Sequence, residues 1–216
     1  MQKPTKKSQR RQPRYVASVL AFALLIVCGF AFAEPRGPGP YFGLGLGQST
    51  MKDANTALLG TPTADTDTAV KIFGGYMFNP YLGLELDYVN FGTFMGSSPR
   101  EEWSATGLDF SVVVVLPFPD IYSNFSLFGK FGANAWSVDD NLPAFGFVSA
   151  SGTDASYGFG AEVGLSRNAG LNLQWERFTN VGDPNVTGRS DLDLITLNFV
   201  YHFGEPRERY RRRYRY

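Results

Sequence analysis

Two residue types that carry much of protein chemistry are almost missing from this chain. Among 216 residues there is one cysteine, Cys28, and one histidine, His202. Past residue 33 there is no cysteine, so that part has no disulfide to form in an oxidising compartment. A nucleophile-plus-base site needs a base within hydrogen-bond reach of a Ser or Thr, oriented by a third group. The one imidazole sits at the end of the last alternating segment, is directed inward by its parity, and reads as a hydrogen-bonding interior residue. No catalytic residue is assigned. No loop carries the D-x-D-x-D-G register of a calcium site either, and Asp139, Asp140 and Asp154 read as solvated loop acids. No metal and no cofactor is assigned. Nor does any apolar run after residue 33 approach the roughly 20 residues that a membrane helix needs. Any membrane insertion must use strands.

The first 33 residues have the form of an export leader. Lys3, Lys6, Lys7, Arg10, Arg11 and Arg14 stand among them with no acid. Val16 to Cys28 is a short apolar region, and Ala31-Phe32-Ala33 is a small-x-small cleavage site, so residues 1–33 are expected to be a signal peptide. At about 13 apolar residues the segment is short for an anchor. Arg10-Arg11 lacks the rest of a twin-arginine signal, and Val27 occupies the place where a lipoprotein signal takes a small residue before its cysteine. Loss of the leader removes six of the 20 basic residues, leaving 14 against 20 acidic ones, near −6. Residues 34–40 form a Pro/Gly spacer, residues 41–203 a single domain, and residues 204–216 a basic tail rich in arginine and tyrosine.

The domain is organised around Val70 to Gly92. On its second arm Leu82, Leu84, Leu86 and Tyr88 share one face, while Gly83, Glu85, Asp87 and Val89 share the other. The first arm alternates likewise, and Asn79-Pro80 between them is a turn signal, so the segment predicts an antiparallel hairpin. Full charges and glycines on one face and large apolar residues on the other suit a membrane barrel with a polar lumen and an apolar exterior. Tyr41 to Ser49 alternates in the same way. Its G-x-G-x-G is followed by polar loop rather than helix, so its glycines read as room in a narrow lumen, not as a phosphate loop.

Continuing the alternation predicts strands at 41–49, 70–78, 81–92, 105–116, 125–136, 156–165, 171–176 and 191–203. Connections alternate long and short, with long loops at 50–67, 93–102, 137–154 and 179–190. Long loops at one end, with short turns and both termini at the other, follow the outer-membrane barrel rule. The expected fold is all-β: an eight-stranded antiparallel transmembrane up-and-down β-barrel. Its interior is just wide enough for its own side chains, and closure pairs every backbone group, as lipid demands.

Parity directs Lys71, Glu85, Asp87, Asp109, Lys130, Glu162 and Glu176 into that lumen. Charges in so little water must be paired. A three-residue turn at Phe78-Asn79-Pro80 would set Met77 against Tyr81 and Lys71 opposite Asp87. Across the next turn Asp109 would fall beside Lys130, with Glu162 reaching the same lysine from the far side. The last strand turns Leu197, Phe199, Tyr201 and Phe203 outward, ending on the aromatic residues of a membrane interface. In the tail Arg207, Arg209, Arg211, Arg212, Arg213 and Arg215 face one glutamate, Glu208. Arginine alternating with tyrosine can bind nucleic acid, but the periplasm removes that partner and no nucleic acid is assigned. The tail reads either as contact with anionic lipid or cell wall, each cation adding up to ~1 kcal/mol, or as a solvated end.

Several of these blocks carry a resemblance. Phe73-Gly74-Gly75-Tyr76 through Asn79-Pro80-Tyr81 to Glu85 and Val89-Asn90-Phe91-Gly92 resembles the second hairpin of the OmpA-type small outer-membrane β-barrels. Phe128-Gly129-Lys130, Trp175-Glu176-Arg177-Phe178 and the alternation Leu197, Phe199, Tyr201, Phe203 are similar to the same family, and the likeness covers about Pro40 to Phe203. It implies a lumen plugged by hydrogen-bonded charges. Members with a periplasmic peptidoglycan-binding domain continue after the barrel, and in a departure from them this chain is expected to hold the barrel domain only. The resemblance also implies a last strand read by the barrel-assembly and periplasmic chaperone machinery, although 13 residues follow Phe203 where such barrels commonly end. The expected role is that of an integral protein of the bacterial outer membrane, in contact with its lipids. It would show its four loops to an extracellular ligand. A narrow ion or small-solute channel is the alternative, and a surface enzyme a weaker one.

Overall fold

Eight stretches in which successive side chains alternate between two environments form eight strands. They are β1 (Gly39–Asn55), β2 (Thr66–Met77), β3 (Leu82–Met95), β4 (Glu102–Pro117), β5 (Phe125–Leu142), β6 (Gly146–Gly164), β7 (Ala169–Val181) and β8 (Arg189–His202). The structure is a computed structural model and describes residues 37–55, 66–95, 102–118, 125–142 and 146–203. The leader, the tail beyond Phe203 and the centres of three expected loops lie outside the described residues. Each strand pairs antiparallel with its neighbour in sequence, and β1 closes on β8.

The register fixes the shape. Starting at Phe125 and stepping through Val163, Leu171, Phe199, Leu44, Ile72, Tyr88 and Leu108, one circuit of paired residues returns to β5 at Ala135. An offset from residue 125 to 135 over eight strands requires a strand tilt of about 40°. The enclosed space admits side chains and little else. A Cβ added at Gly43 would lie 2.1 Å from the ring of Phe73, and one at Gly45 would lie 1.8 Å from Oδ1 of Asn198. The inward glycines of β1 make room for large residues on the strands beside them.

The strands run further than the expected loops allowed. β5 continues to Leu142 and β6 begins at Gly146, so most of 137–154 is paired sheet. β1, β2, β7 and β8 extend in the same way into 50–67 and 179–190. These extensions keep the period of two but exchange its chemistry. Ser137, Asp139, Ser151 and Thr153 face out while Trp136 and Val138 are buried. A search for apolar residues on the outer face therefore stops too early. The register slips near the upper end of β3, between Asn90 and Thr93, where Gly92 has φ +86°, and at the end of β7, where Asn180 has φ 54°. Such bulges bend a strand and increase its twist.

The turn between β2 and β3 is also longer than expected. Asn79 Oδ1 accepts hydrogen bonds from the amides of Tyr81 at 2.8 Å and Leu82 at 3.0 Å, and the Phe78 amide donates to the Leu82 carbonyl at 2.9 Å. With five residues, Phe78–Leu82, between the first paired positions, Met77 stands opposite Gly83 and Lys71 opposite Val89. The expected pairings of Met77 with Tyr81 and Lys71 with Asp87 are each wrong by two residues.

Candidate functional site: the filled lumen

Inward side chains fill the barrel in three tiers. The lowest lies beside the short turns. There Tyr41, Phe73, Met77 and Val200 form a buried cluster with Val115 against it. The Tyr41 ring stacks on His202 at 5.3 Å, and its hydroxyl donates to Glu85 Oε2 at 2.7 Å. His202 Nε2 lies 3.2 Å from Glu162 Oε1. A cavity of about 90 Å³ opens below Glu85, between this cluster and Phe128.

The middle tier is charged. Lys130 Nζ lies 2.6 Å from Glu85 Oε1 and 2.7 Å from Glu176 Oε1, and it also bonds Asp87 Oδ2. Lys71 Nζ lies 2.8 Å from Glu176 Oε2, 3.2 Å from Asp87 Oδ2 and 3.9 Å from Glu85 Oε1. Each ammonium thus touches the same three carboxylates. Lys71 is wholly buried and Lys130 is 5% exposed. Buried charges survive only when paired and hydrogen-bonded, and here each has several partners. Glu176 divides its two oxygens between the two lysines, so it ties β2 to β5 across the lumen.

Asp109 stands apart, accepting hydrogen bonds from Ser111 and Ser156. Sequence spacing predicts it beside Lys130, but Lys130 stands opposite Val113 and Gly158 while Asp109 stands opposite Asp87 and Asn134. Glu162 was expected at Lys130 as well. It stands opposite Ser126 and Asn172, at the lower end with His202. The β4–β5 register differs from the expected one by four residues. An even slip keeps every side chain on its face and changes only its neighbours.

The upper tier is apolar. Val89, Phe91, Phe94, Trp103, Val138, Phe178, Leu192 and Leu194 are 3% exposed or less and belong to one cluster. Phe91 meets Phe178 edge-on at 4.9 Å, and Trp103 meets Phe94 at 5.5 Å while its Nε1 donates to the Thr187 carbonyl at 3.1 Å. The β7–β8 connection is thereby drawn over the top of the core. Neither this tier nor the two serines on Asp109 is among the site residues that sequence spacing predicts. The signal for the upper tier was there: Leu192 and Leu194 hold the inward parity of the last strand. Among the described residues no cluster of His, Cys, Asp and Glu side chains is placed to hold a metal ion.

Outside, an apolar belt surrounds the lower and middle tiers. Leu44, Ile72, Leu86, Phe110, Val112 and Phe159 all face outward and are exposed. Leu197, Phe199 and Tyr201 continue it on β8, and Phe203 just past its end. The tail arginines lie outside the described residues. A polar, charge-paired lumen inside a closed apolar wall is the inverse of a soluble barrel, and it suits hydrocarbon surroundings.

The chain belongs to the outer membrane protein beta-barrel domain family. The match runs over residues 18–203. It is 26% identical over 192 residues to outer membrane protein A of Escherichia coli O157:H7, covering 88% of this chain and 55% of that protein. It is 27% identical over 196 residues to the protein of the same name from Salmonella typhi, again covering 88% and 55%. The chain thus spans about half the length of the curated relatives it matches. In fold it is similar to Neisserial surface protein A, with a TM-score of 0.54, 13% identity and coverage of 76% and 97%. It is likewise similar to OprG of Pseudomonas aeruginosa, with a TM-score of 0.51, 13% identity and coverage of 78% and 99%. The barrel is an OmpA-like outer-membrane barrel whose apolar belt contacts lipid. In such barrels the short turns and both termini face the periplasm, and the other end faces outward.

Proposed function

We propose that this barrel is a closed-lumen scaffold that displays its long upper strands and loops on the cell surface, and that it catalyses no reaction. One observation carries the reading: the lumen is closed twice, by ion pairs in the middle tier and by packed aromatic and aliphatic side chains above them. A water path would have to cross both. The surface on offer is the polar outer face of the upper strands, together with Phe147 at the tip of the β5–β6 hairpin, 85% exposed. Residues 1–33 would serve export, the outward face of β8 would serve recognition by the assembly machinery, and the tail arginines would meet anionic lipid or cell wall.

Conductance of the refolded protein in a planar bilayer tests the reading. The closed lumen gives no unit current steps. Steps whose size changes in Lys130→Met would overturn it in favour of a narrow channel.

A further inference from the structure

The closed-lumen reading leaves the lowest tier without a task. Its cavity has apolar and aromatic walls, from Phe73, Phe128, Val113 and Val115, yet its charged lining is acidic. Glu85 forms the ceiling and Glu162 stands near the mouth, and among the described residues the only lining side chain able to carry positive charge is His202, paired with Glu162 at 3.2 Å. Above the ceiling the imbalance continues, because two lysines serve three carboxylates. Aromatic faces are themselves attractive to cations. An apolar body with a positive head is therefore favoured by walls and lining together, whereas an anion meets two carboxylates in a low-dielectric mouth.

We propose that this periplasm-facing cavity binds a small organic cation: an apolar or aromatic body of a few heavy atoms carrying an ammonium or guanidinium group. The cationic head lies between Glu162 and Glu85, and the body lies against Phe73 and Phe128. A volume of about 90 Å³ exceeds the roughly 10–15 Å³ that one water needs, and so has room for such a group. The site is separate from the surface role, and its occupancy does not depend on whether the lumen above conducts.

The single histidine provides the readout, since an untagged chain gives one imidazole signal in an NMR spectrum and that ring lines the cavity. Benzylammonium, benzyl alcohol and benzoate are titrated into the refolded, detergent-solubilised protein as probes of equal shape and different charge. Benzylammonium is expected to shift the His202 signal saturably and to bind roughly twofold to fivefold more tightly than benzyl alcohol, the worth of one partly exposed charge contact. Benzoate is expected to give no saturable shift. Glu162→Gln narrows the gap between cation and alcohol, and Val115→Trp, which fills the cavity, abolishes both titrations. Retained heat-modifiable mobility on a denaturing gel shows that each variant is folded. Equal affinity for all three probes, or no saturable shift with benzylammonium, overturns the proposal. So does binding that survives Val115→Trp in the folded protein.

Discussion

The lower and upper halves of this barrel are built from the same eight strands in opposite chemistry. In the lower half Leu44, Ile72, Leu86 and Val112 face outward while Lys71, Glu85, Asp87 and Lys130 are buried inside. In the upper half Lys52, Thr66, Ser137, Asp139 and Thr153 face outward while Phe91, Phe94, Trp103, Phe178 and Leu192 are buried inside. Apart from the bulges near Gly92 and Asn180, the pleat is the same in both, with side chains pointing alternately in and out. The surroundings change. Crossing a bilayer takes roughly 9 to 11 tilted residues, and β5 and β6 have 18 and 19. The remainder stands in water and solves the ordinary problem of a soluble domain, which is to bury apolar side chains. Within lipid the outer face gains nothing by burial, so the interior is free to be polar provided its charges are paired. One closed sheet therefore carries a membrane protein below and a water-exposed core above.

The two halves should fail differently. Lys130→Met removes an ammonium shared by Glu85, Asp87 and Glu176 and leaves three buried carboxylates with Lys71 alone. Breaking a buried ionic network from one side costs about 3 to 5 kcal/mol, so denaturant unfolding in lipid vesicles should show a loss of that size for the whole barrel. A loss below about 1 kcal/mol would mean that water reaches the tier and the lumen is not sealed. Phe178→Ala opens a hole in the upper core instead and should cost about 3 kcal/mol. Its loss should be local. Protease cleavage should increase in the upper strands while the heat-modifiable gel mobility of the membrane half persists. Global loss of that mobility would show that the two halves fold as one unit and that the division drawn here is only chemical.

How much of this was legible beforehand follows from the same contrast. Strand number, order and parity were readable because Leu82, Leu84, Leu86 and Tyr88 alternate strictly with Gly83, Glu85 and Asp87, and lipid demands that alternation. Each inward charge lies on its expected face for the same reason. Their neighbours were not readable. The spacing sets Lys71 opposite Asp87, but it stands opposite Val89, because Asn79 caps a turn two residues longer than the spacing implies. Lysine side chains are long enough to reach diagonally, and Lys71 finds Asp87 at 3.2 Å despite the slip. Lys130 reaches Glu85 and Asp87 on β3 and Glu176 on β7, contacts that cross the lumen and leave no trace in sequence spacing. The upper core was missed because its strands are amphipathic in the opposite sense. Polar outward residues such as Ser151 and Thr153 read as loop until the inward column is considered by itself.

The boundary between the halves can be located from outside with charge. Val112 lies in the middle of the outward apolar run Leu108, Phe110, Val112, Val114 and Leu116 on β4. An arginine there should cost about 2 to 4 kcal/mol, as charges do at the bilayer midplane. On the same strand and face, Ser104 is only partly buried and its hydroxyl donates to the Asp139 carbonyl at 3.4 Å. Ser104→Arg should stay within about 0.5 kcal/mol, as surface changes usually do. Equal costs at the two positions would remove the distinction between lipid-facing and water-facing halves.

A smaller loss than that at Val112 locates that boundary most closely. Arg177 on β7 meets Asp193 on β8 through two contacts, Nε to Oδ1 at 2.6 Å and Nη2 to Oδ2 at 2.8 Å, and its guanidinium lies 5.6 Å from the Trp175 ring. Immediately below stand Trp175 and Ile195, both outward and apolar, while Thr179 and Asp191 stand above. The pair occupies the step where the outer face turns from apolar to polar, and a tryptophan beneath it is what a membrane interface favours. Lysine in place of Arg177 keeps the charge but loses the paired geometry and the planar contact with the ring. With the arginine side chain 29% exposed and the aspartate 13%, solvent screening limits the pair to the range of surface ion pairs. Arg177→Lys should therefore cost about 0.5 to 1 kcal/mol, and the cost should shrink as salt is raised toward 1 M. A loss above about 2 kcal/mol, insensitive to salt, would mean that the pair is dehydrated. The hydrocarbon would then extend above Asp193, and the membrane half of the barrel would be taller than the outer face implies.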